Sequence, residues 1–358
     1  MKIGTDLITF YNPAFWGVST EPEVATVAAA DGRAFWTRIL DSLHDAGITG
    51  LELTFPPFDQ AGAVAAFGSE AGLAHELKTR NLEIWSNFFP ALDRIPVHEY
   101  ASAEPQILAQ VDAAARFLVA MGGKVLVAGL PCRATFLSDP PTFVDLAFAT
   151  PIASLLNRMG FAAARHGITL AIHTEAHTVA CAPRDVDLFM LLTDPRYVSL
   201  CPDPAHIILE GGNPTDVLTR HVARVVAMHW KDATRAMPVD TPIGQDIHTR
   251  HRAYFCELGN GQANFAQLAA LLARAPLRCG PIMELDSCPG RYRRCSGASR
   301  SSTIWSGTVH HEGPRHLCRP VHRARGPFQH PARSGAVGGR AWIQGAPASH
   351  ASRPYPRP

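Results

Sequence analysis

Short apolar runs alternate with longer amphipathic runs from Lys2 to about Leu285. Eight of the short runs are predicted to be strands, because they are brief, apolar and separated by polar, helix-like stretches. These runs cover residues 2–10, 50–55, 82–89, 124–130, 168–175, 198–203, 225–230 and 279–286. The alternation is typical of repeated βα units that build a parallel sheet.

The longer runs predict helices between the strands. In AFWTRILDSLHDAG, the side chains of Phe35, Ile39 and Leu43 fall on one helix face, and Gly47 ends the helix. The other predicted helices cover residues 106–121, 152–166, 183–192, 214–221 and 264–273. Eight strands joined in this way predict an α/β fold of the (β/α)8 TIM barrel type. An open doubly wound sheet is the alternative, but no GxGxxG motif follows the first strand.

Two segments interrupt the alternation. Residues 232–262 are too long and too polar for an ordinary connection, which predicts a functional lid or binding loop. Residues 289–358 are rich in Arg, Pro and Gly and have neither helical nor strand periodicity. We therefore predict a TIM-barrel catalytic domain over residues 1–288 that lacks its eighth helix, followed by a disordered tail over 289–358.

Charge separates the tail from the rest of the chain. The 358 residues carry a formal net charge of +2, but residues 291–358 contain twelve Arg and a single acidic residue, Glu312. This leaves 21 basic and 30 acidic residues in the first 290, a charge of about −9. The tail is interpreted as a frameshift product, which would put the activity of this chain in doubt, or as a natural disordered extension. An acidic barrel argues against a nucleic-acid groove.

Cysteine usage and hydropathy bear on location. The eight cysteines include no CxxC pair, which favours thiols in a reducing compartment and predicts a cytoplasmic protein. No run of 18 apolar residues occurs, and the start MKIGTDLITFYNP lacks the apolar core of a signal peptide, so no membrane partner is expected. A small molecule is the expected partner, and a homo-oligomer is left open.

Ionisable residues end four successive predicted strands, where the active sites of TIM barrels lie. They are Glu175, Asp203, His229 and Glu284. Three carboxylates and one imidazole predict a site for one divalent metal ion, with Mn2+ or Mg2+ favoured and Co2+ or Zn2+ open through the histidine. Each residue alone could be a helix cap or a solvated charge, and it is their joint occurrence that favours a metal. His173 shares a strand face with Glu175 and is kept as a ligand or substrate contact.

The motifs HTE, CPDPAH, MHWKD and IMELD, in that order, resemble the xylose isomerase-like TIM barrel superfamily of sugar phosphate isomerases and epimerases over residues 1 to about 286. The sequence HWKD, a long insertion and GNGQANF are most similar to the inosose dehydratase-like branch. The resemblance implies that the four strand-end residues hold the metal and that His206 contacts substrate oxygens. Strand five departs from the family, in which a Glu often stands at the position of His173. Lys231 is the lysine of the H-x-K-D motif.

The resemblance implies a metal-dependent isomerase or epimerase of a small sugar, sugar phosphate or cyclitol that works through an enediolate, with Glu175 and Glu284 as the acid/base pair. An inosose dehydratase-like lyase is the alternative, and it would expel a hydroxyl with His206 or Lys231 as the acid. An apurinic endonuclease-like nuclease is a third interpretation, which the acidic barrel disfavours.

Two residues on early strands are further candidates for substrate binding. Asn87 follows strand three and offers an amide to a hydroxyl, and Glu52 lies on strand two. Glu52 could equally pair with a neighbouring basic residue.

Overall fold

The computed structural model describes residues 2–133 and 142–286. Its strands are β1 (Gly4–Asp6), β2 (Gly50–Leu53), β3 (Glu83–Phe89), β4 (Val125–Ala128), β5 (Thr169–His173), β6 (Val198–Cys201), β7 (His229–Trp230), β8 (Asp232–Ala233), β9 (Phe255–Cys256) and β10 (Ile282–Met283). Its α-helices are α1 (Pro13–Trp16), α2 (Glu21–Ala30), α3 (Gly32–Asp45), α4 (Gln60–Phe67), α5 (Glu70–Thr79), α6 (Ala91–Arg94), α7 (Tyr100–Met121), α8 (Leu146–Ala164), α9 (Pro183–Leu192), α10 (Pro204–Leu209), α11 (Pro214–His221), α12 (Ile247–His251) and α13 (Phe265–Leu272).

Eight parallel strands form a nearly closed barrel, in the order β6-β5-β4-β3-β2-β1-β10-β7. The barrel closes between β6 and β7 through an isolated parallel bridge between Leu200 and Val225. There the Val226 N–H donates to the Leu200 carbonyl oxygen at 3.2 Å. The predicted TIM barrel is confirmed. The predicted tail over 289–358 and the expected loss of the eighth helix lie outside the described residues.

The first strand is shorter than predicted. It ends at Asp6, whose carboxylate accepts a hydrogen bond from the Ile8 N–H at 2.7 Å. This contact caps a 3-10 helix over Leu7–Phe10, so the chain turns away from the sheet where the apolar pattern still resembles a strand.

The predicted helices are present in the structure, and some of them differ from the prediction at their ends. The bounds of α9 and α11 are as predicted, whereas α7 and α8 begin six residues earlier. Each of these two helices contains a proline at its sixth position, Pro105 or Pro151. The prediction started each helix after its proline, because a proline inside a helix cannot donate to the carbonyl oxygen four residues earlier; the structure accommodates each proline within the first two turns.

The core has two layers, inside and outside the barrel. The inner layer is a small apolar cluster that includes Trp85, Val127 and Ile282, and the outer layer packs the strands against the helices. The Trp85 ring fills the space above two strand glycines: a Cβ at Gly50 would lie 2.0 Å from Trp85 Cδ2, and one at Gly4 would lie 2.6 Å from Cε3. This packing fills the bottom of the barrel interior, and the buried polar side chains lie above it, towards the mouth.

The segment 232–262 folds over the mouth of the barrel. It contains α12 and the antiparallel pair β8 and β9. The buried Asp232 carboxylate accepts from the backbone N–H groups of Gly259, Gly261 and Ala263 at 2.8–3.0 Å. Asp232 thereby organises the GNGQANF turn, so its carboxylate is not part of a surface ion pair with Lys231.

Two sequence predictions concern features outside the site. Within residues 2–133 and 142–286, no helix is long and apolar enough to cross a membrane. Cys132, Cys181, Cys201 and Cys279 carry free thiols. Cytoplasmic location stays a prediction.

Candidate metal centre

Four buried side chains converge inside the mouth of the barrel. They are His173, Asp203, His229 and Glu284, and one ligand atom from each lies within 4.8 Å of the ligand atoms of the others. Each belongs to or directly adjoins a different strand: His173 ends β5, Asp203 lies just after β6, His229 begins β7 and Glu284 follows β10. Because the C-terminal ends of parallel barrel strands meet at one face, residues distant in sequence form one group.

All four residues present buried polar atoms without a hydrogen-bond partner among the described residues. These atoms are both ring nitrogens of His173, Oδ2 of Asp203, Nδ1 of His229 and Oε2 of Glu284. A buried polar group without a partner costs free energy, and such groups are rare in folded proteins. Several such atoms directed at one point are typical of a site that binds an ion.

Glu52 and Glu284 flank His229 on opposite sides of its ring. Nε2 lies 2.9 Å from Glu52 Oε1 in a hydrogen bond, and Nδ1 lies 2.6 Å from Glu284 Oε2 without the geometry of one. Burial alone would lower the pKa of His229, but Cys201 and the two carboxylates raise it well above its ordinary value. When Nε2–H donates to Glu52, the lone pair on Nδ1 is directed at the other three residues.

The two carboxylate oxygens of Asp203 have different surroundings: one caps a helix and the other faces the cluster. Oδ1 accepts from the backbone N–H groups of Ala205 and His206 and so caps α10. Oδ2 lies 3.9 Å from Nε2 of His173 and has no hydrogen-bond partner. Burial raises the pKa of Asp203 to about 7, an effect that Lys231 opposes and Glu284 reinforces.

The donor set fits a divalent cation. Two imidazoles and two carboxylates, all buried, can surround an ion that compensates the negative charges and occupies the unpartnered lone pairs. A cation would also separate Nδ1 of His229 from Oε2 of Glu284, which now face each other at 2.6 Å. The predicted ligands Asp203, His229 and Glu284 are brought together here.

Glu175 lies outside this cluster, although the sequence analysis favoured it as the ligand from strand five. Its Oε1 lies 3.0 Å from Nδ1 of His248 on α12. Burial raises the pKa of Glu175, but His248 outweighs burial and brings the pKa to about 2. β5 ends at His173, so that residue projects into the barrel, and Glu175 lies beyond the strand where alternation no longer directs it inward.

Lys231 is fully buried next to the four-residue cluster. Its Nζ lies 2.6 Å from Glu284 Oε1, 2.6 Å from Asp286 Oδ2 and 3.2 Å from His206 Nε2. Burial would lower the pKa of this lysine, yet Asp286 and Glu284 raise it far above its ordinary value. Lys231 is therefore an ammonium ion, and Asp286 is a partner that the sequence analysis did not single out.

His206, the predicted substrate contact, is buried beside Lys231. Its Nδ1 accepts from the backbone N–H of Ala176 at 3.1 Å, and burial followed by the charge of Lys231 lowers its pKa well below the ordinary value. Nε2 lies 3.2 Å from the Lys231 ammonium and 3.8 Å from Asp203 Oδ2, so this ring nitrogen faces the centre of the site.

The two early-strand candidates occupy different positions. Glu52 faces into the barrel but lies beneath the cluster, where Ser86 and His229 contact its two oxygens. Asn87 pairs in register with Leu53 and Leu126, which both belong to the outer core layer. Residues in register on neighbouring strands share a face, so Asn87 is directed away from the barrel interior. Glu52 thus lies under the cluster, and Asn87 lies on the outer side of the barrel wall; their contact with substrate stays a prediction.

Comparison with known proteins supports this interpretation of the fold. Residues 40–287 match the family model described as "Xylose isomerase-like TIM barrel". A curated relative, an inosose dehydratase of Lacticaseibacillus casei, is 28% identical over 230 residues, which are 59% of this chain and 72% of that protein.

Two solved structures share the architecture at low identity. A xylose isomerase-like TIM barrel protein from Mycobacterium smegmatis, in complex with magnesium, has a TM-score of 0.59 and 15% identity, with 80% of this chain and 91% of that chain covered. The IOLI protein with a binding zinc atom has a TM-score of 0.56 and 13% identity, with 81% and 90% covered. At these identities the likeness extends to the fold alone.

Proposed function

Because the chain belongs to the xylose isomerase-like TIM barrel family, we propose that it is a divalent-metal-dependent lyase that removes water from a keto-inositol. His173, Asp203, His229 and Glu284 would hold the ion. Their two imidazoles favour Mn2+, Co2+ or Zn2+ over Mg2+, which prefers oxygen ligands. When bound, the ion supplies a Lewis acid that polarises a ketone oxygen and acidifies the adjacent C–H bond.

One observation carries the proposal: a base and a proton donor lie side by side in a buried site. Glu284 Oε1 and Lys231 Nζ are 2.6 Å apart, and Nε2 of His206 lies 3.2 Å from the same ammonium. Loss of water from a β-hydroxy ketone requires removal of a proton next to the carbonyl and delivery of a proton to the departing hydroxyl. The inosose dehydratase relative supports this substrate class.

The proposed roles follow from the charges. The Glu284 carboxylate takes the proton from the carbon next to the ketone. Lys231 and His229 outweigh burial and hold its pKa well below the ordinary value, so the group is ionised before the reaction. Lys231 delivers a proton to the β-hydroxyl, and His206, whose Nε2 lies 3.2 Å from the ammonium, is close enough to contact that oxygen. In this reaction one C–H bond and one C–O bond break, a carbon–carbon double bond forms, and the products are water and an unsaturated ketone.

The two proton transfers assist each other. The negative charge of Glu284 raises the pKa of Lys231, so a proton that arrives on Glu284 lowers the pKa of the neighbouring ammonium. Lys231 therefore becomes a stronger acid at the moment when the hydroxyl has to leave. After turnover, transfer of the proton from Glu284 to Lys231, 2.6 Å away, restores the starting charges.

A metal-dependent epimerase or isomerase is the second candidate, as the resemblance implied. Epimerisation needs a second acid/base group on the opposite face of the carbon. Glu175 is paired with His248, so this group would have to be His173, whose two nitrogens have no hydrogen-bond partner among the described residues. That observation keeps the epimerase as a testable alternative.

Proton NMR in D2O with a chelator-treated, metal-reconstituted protein and a keto-inositol distinguishes the two reactions. The lyase exchanges the proton next to the carbonyl and then forms an unsaturated product with loss of water. The epimerase exchanges the same proton and conserves the mass of the substrate. Exchange without water loss would overturn the lyase in favour of the epimerase.

One variant and one control test the assignment of Lys231 as the proton donor. Lys231→Met should abolish water loss, by a factor of about 10² or more, if Lys231 is the proton donor. Glu70→Gln, at an exposed helix position, is the control that should keep the wild-type rate. A Lys231→Met protein that releases water at the wild-type rate would contradict the assignment of the acid.

A further inference from the structure

A second cluster of ionisable side chains lies beside the first, where α12 meets the chain that follows β5. Glu175, His248 and His251 each offer one ligand atom, and these atoms lie within 4.8 Å of one another. His251 is buried, whereas the side chain of His248 is 44% exposed. None of the three belongs to the group around Asp203.

The two histidines reach this position through the long segment 232–262. His248 and His251 are three residues apart on α12 and therefore lie on one helix face. That face meets Glu175, whose Oε1 lies 3.0 Å from Nδ1 of His248. The barrel closes without this segment, so the segment contributes side chains to the mouth and not a strand to the sheet.

Both histidines make a second contact through Nε2. Nε2 of His248 lies 3.9 Å from Sγ of Cys132, and Nε2 of His251 lies 3.0 Å from Nδ1 of His177. When these Nε2 atoms carry the protons, Nδ1 of each histidine keeps a lone pair. Such outer contacts fix the tautomer and orientation of histidines that ligate metals.

His177 gives independent support. It is one of only two residues other than glycine with a positive φ in the part of the chain that is described, at φ 64°. A left-handed backbone is uncommon for a histidine, and strained residues cluster at functional sites. Here the strained residue is the one that contacts His251, with the two rings nearly parallel at a centroid separation of 5.1 Å.

We propose that Glu175, His248 and His251 bind a second divalent ion of the zinc type at the rim of the barrel. Two imidazoles and one carboxylate form a three-ligand set that zinc uses where a fourth position stays open. The partial exposure of His248 gives an ion access from solvent. The inference is independent of the reaction proposed above, since none of the three residues holds the first ion.

The competing interpretation is a simple ion pair between Glu175 and a protonated His248. Metal stoichiometry distinguishes the two. The full chain is stripped with a chelator and titrated with Zn2+ by calorimetry and with Co2+ by visible absorption. Glu175→Gln and His248→Ala should each bind one equivalent less than the wild type, whereas His98→Ala, at an exposed histidine, should bind as many ions as the wild type.

The comparison between variants also isolates the second site from other ligands. Histidines within residues 287–358 contribute equally to every variant, so only the difference from the wild type counts. Asp203→Asn should lose the first ion and keep the second, so failure of one site is distinguishable from failure of the other. Equal stoichiometry in wild type, Glu175→Gln and His248→Ala would overturn the proposal.

Discussion

Nε2 of His229 lies 2.9 Å from Oε1 of Glu52, beneath the four-residue cluster at the mouth of the barrel. The two residues are 177 positions apart in the sequence, and both are buried. The bond holds the imidazole so that Nδ1 is directed at Asp203 and Glu284. Glu52 is therefore a positioning residue for the proposed ion.

The first prediction concerns this bond. Glu52→Gln keeps the shape of the side chain but removes the charge that favours an Nε2–H donor, so the affinity for Mn2+ should fall by roughly 10- to 100-fold. Isothermal titration of chelator-stripped protein measures the effect. Glu70→Gln, at an exposed site, is the matched control, and an unchanged affinity in Glu52→Gln would refute the role of Glu52.

The second prediction concerns the turn that Asp232 organises. Asp232→Ala leaves the N–H groups of Gly259, Gly261 and Ala263 without their acceptor, so the free energy of unfolding should fall by about 2–3 kcal/mol. Urea denaturation measures this loss. Asp240→Ala, at an exposed position in the same segment, should change stability by less than about 0.5 kcal/mol. Equal stability of the two variants would show that the turn does not depend on Asp232.

The third prediction concerns the floor of the barrel. A methyl group at Gly50 would lie 2.0 Å from the Trp85 ring, so Gly50→Ala should destabilise the protein by about 1–3 kcal/mol. The loss should shrink in a Trp85→Phe background, because the smaller ring makes room for the methyl group. Gly32→Ala, where a Cβ meets nothing within 4 Å, is the control. Additive effects of Gly50→Ala and Trp85→Phe would contradict the proposed packing.

The fourth prediction is a pH dependence of stability at Asp93. Burial, reinforced by the charge of Glu175, raises the pKa of Asp93 from 3.8 to about 6. A raised pKa stabilises the fold below pH 3.8, and that contribution is lost as the pH rises through about 6. Asp93→Asn, measured in a chelator by thermal unfolding, should therefore match the wild type at pH 4 and melt higher by roughly 2 °C or more at pH 8.

The exposed Asp240→Asn is the control for this comparison. It should leave the difference in melting temperature between pH 4 and pH 8 as it is in the wild type. A lower melting temperature of Asp93→Asn at pH 8 would mean that the ionised carboxylate of Asp93 stabilises the fold through a partner.

Much of the barrel could be predicted because one physical pattern repeats along the chain. Buried parallel strands are short and apolar, and the helices that cover them are amphipathic. The ends of the strands then identify Asp203, His229 and Glu284, since polar residues at these places are directed into the mouth of the barrel.

The choice between His173 and Glu175 could not be made from the pattern. Side chains two positions apart share a strand face, so periodicity gives both residues the same direction for as long as the strand continues. The structure ends β5 at His173, and Glu175 then pairs with a histidine more than seventy residues later in the chain. No local signal marks that partner, although the unusual length of segment 232–262 indicated a functional role.

The direction of the Asn87 side chain could not be predicted for a related reason. The register between β2 and β3 shifts between Leu51 and Glu52, so Trp85 is an extra residue on β3 and the alternation changes phase after it. Ser86 then faces inward beside Glu52 and Asn87 faces outward. A bulge depends on the neighbouring strand, and a pattern of apolar residues on one strand cannot reveal it.

The central claim is that the unpartnered atoms of His173, Asp203, His229 and Glu284 hold one divalent ion. Asp203→Asn tests it most directly, since the amide keeps an oxygen that can cap α10 and removes the charge at the site. Mn2+ binding followed by electron paramagnetic resonance should show a high-affinity site in the wild type and in Glu175→Gln that Asp203→Asn lacks. Retention of that site in Asp203→Asn, or its loss in Glu175→Gln, would contradict the account.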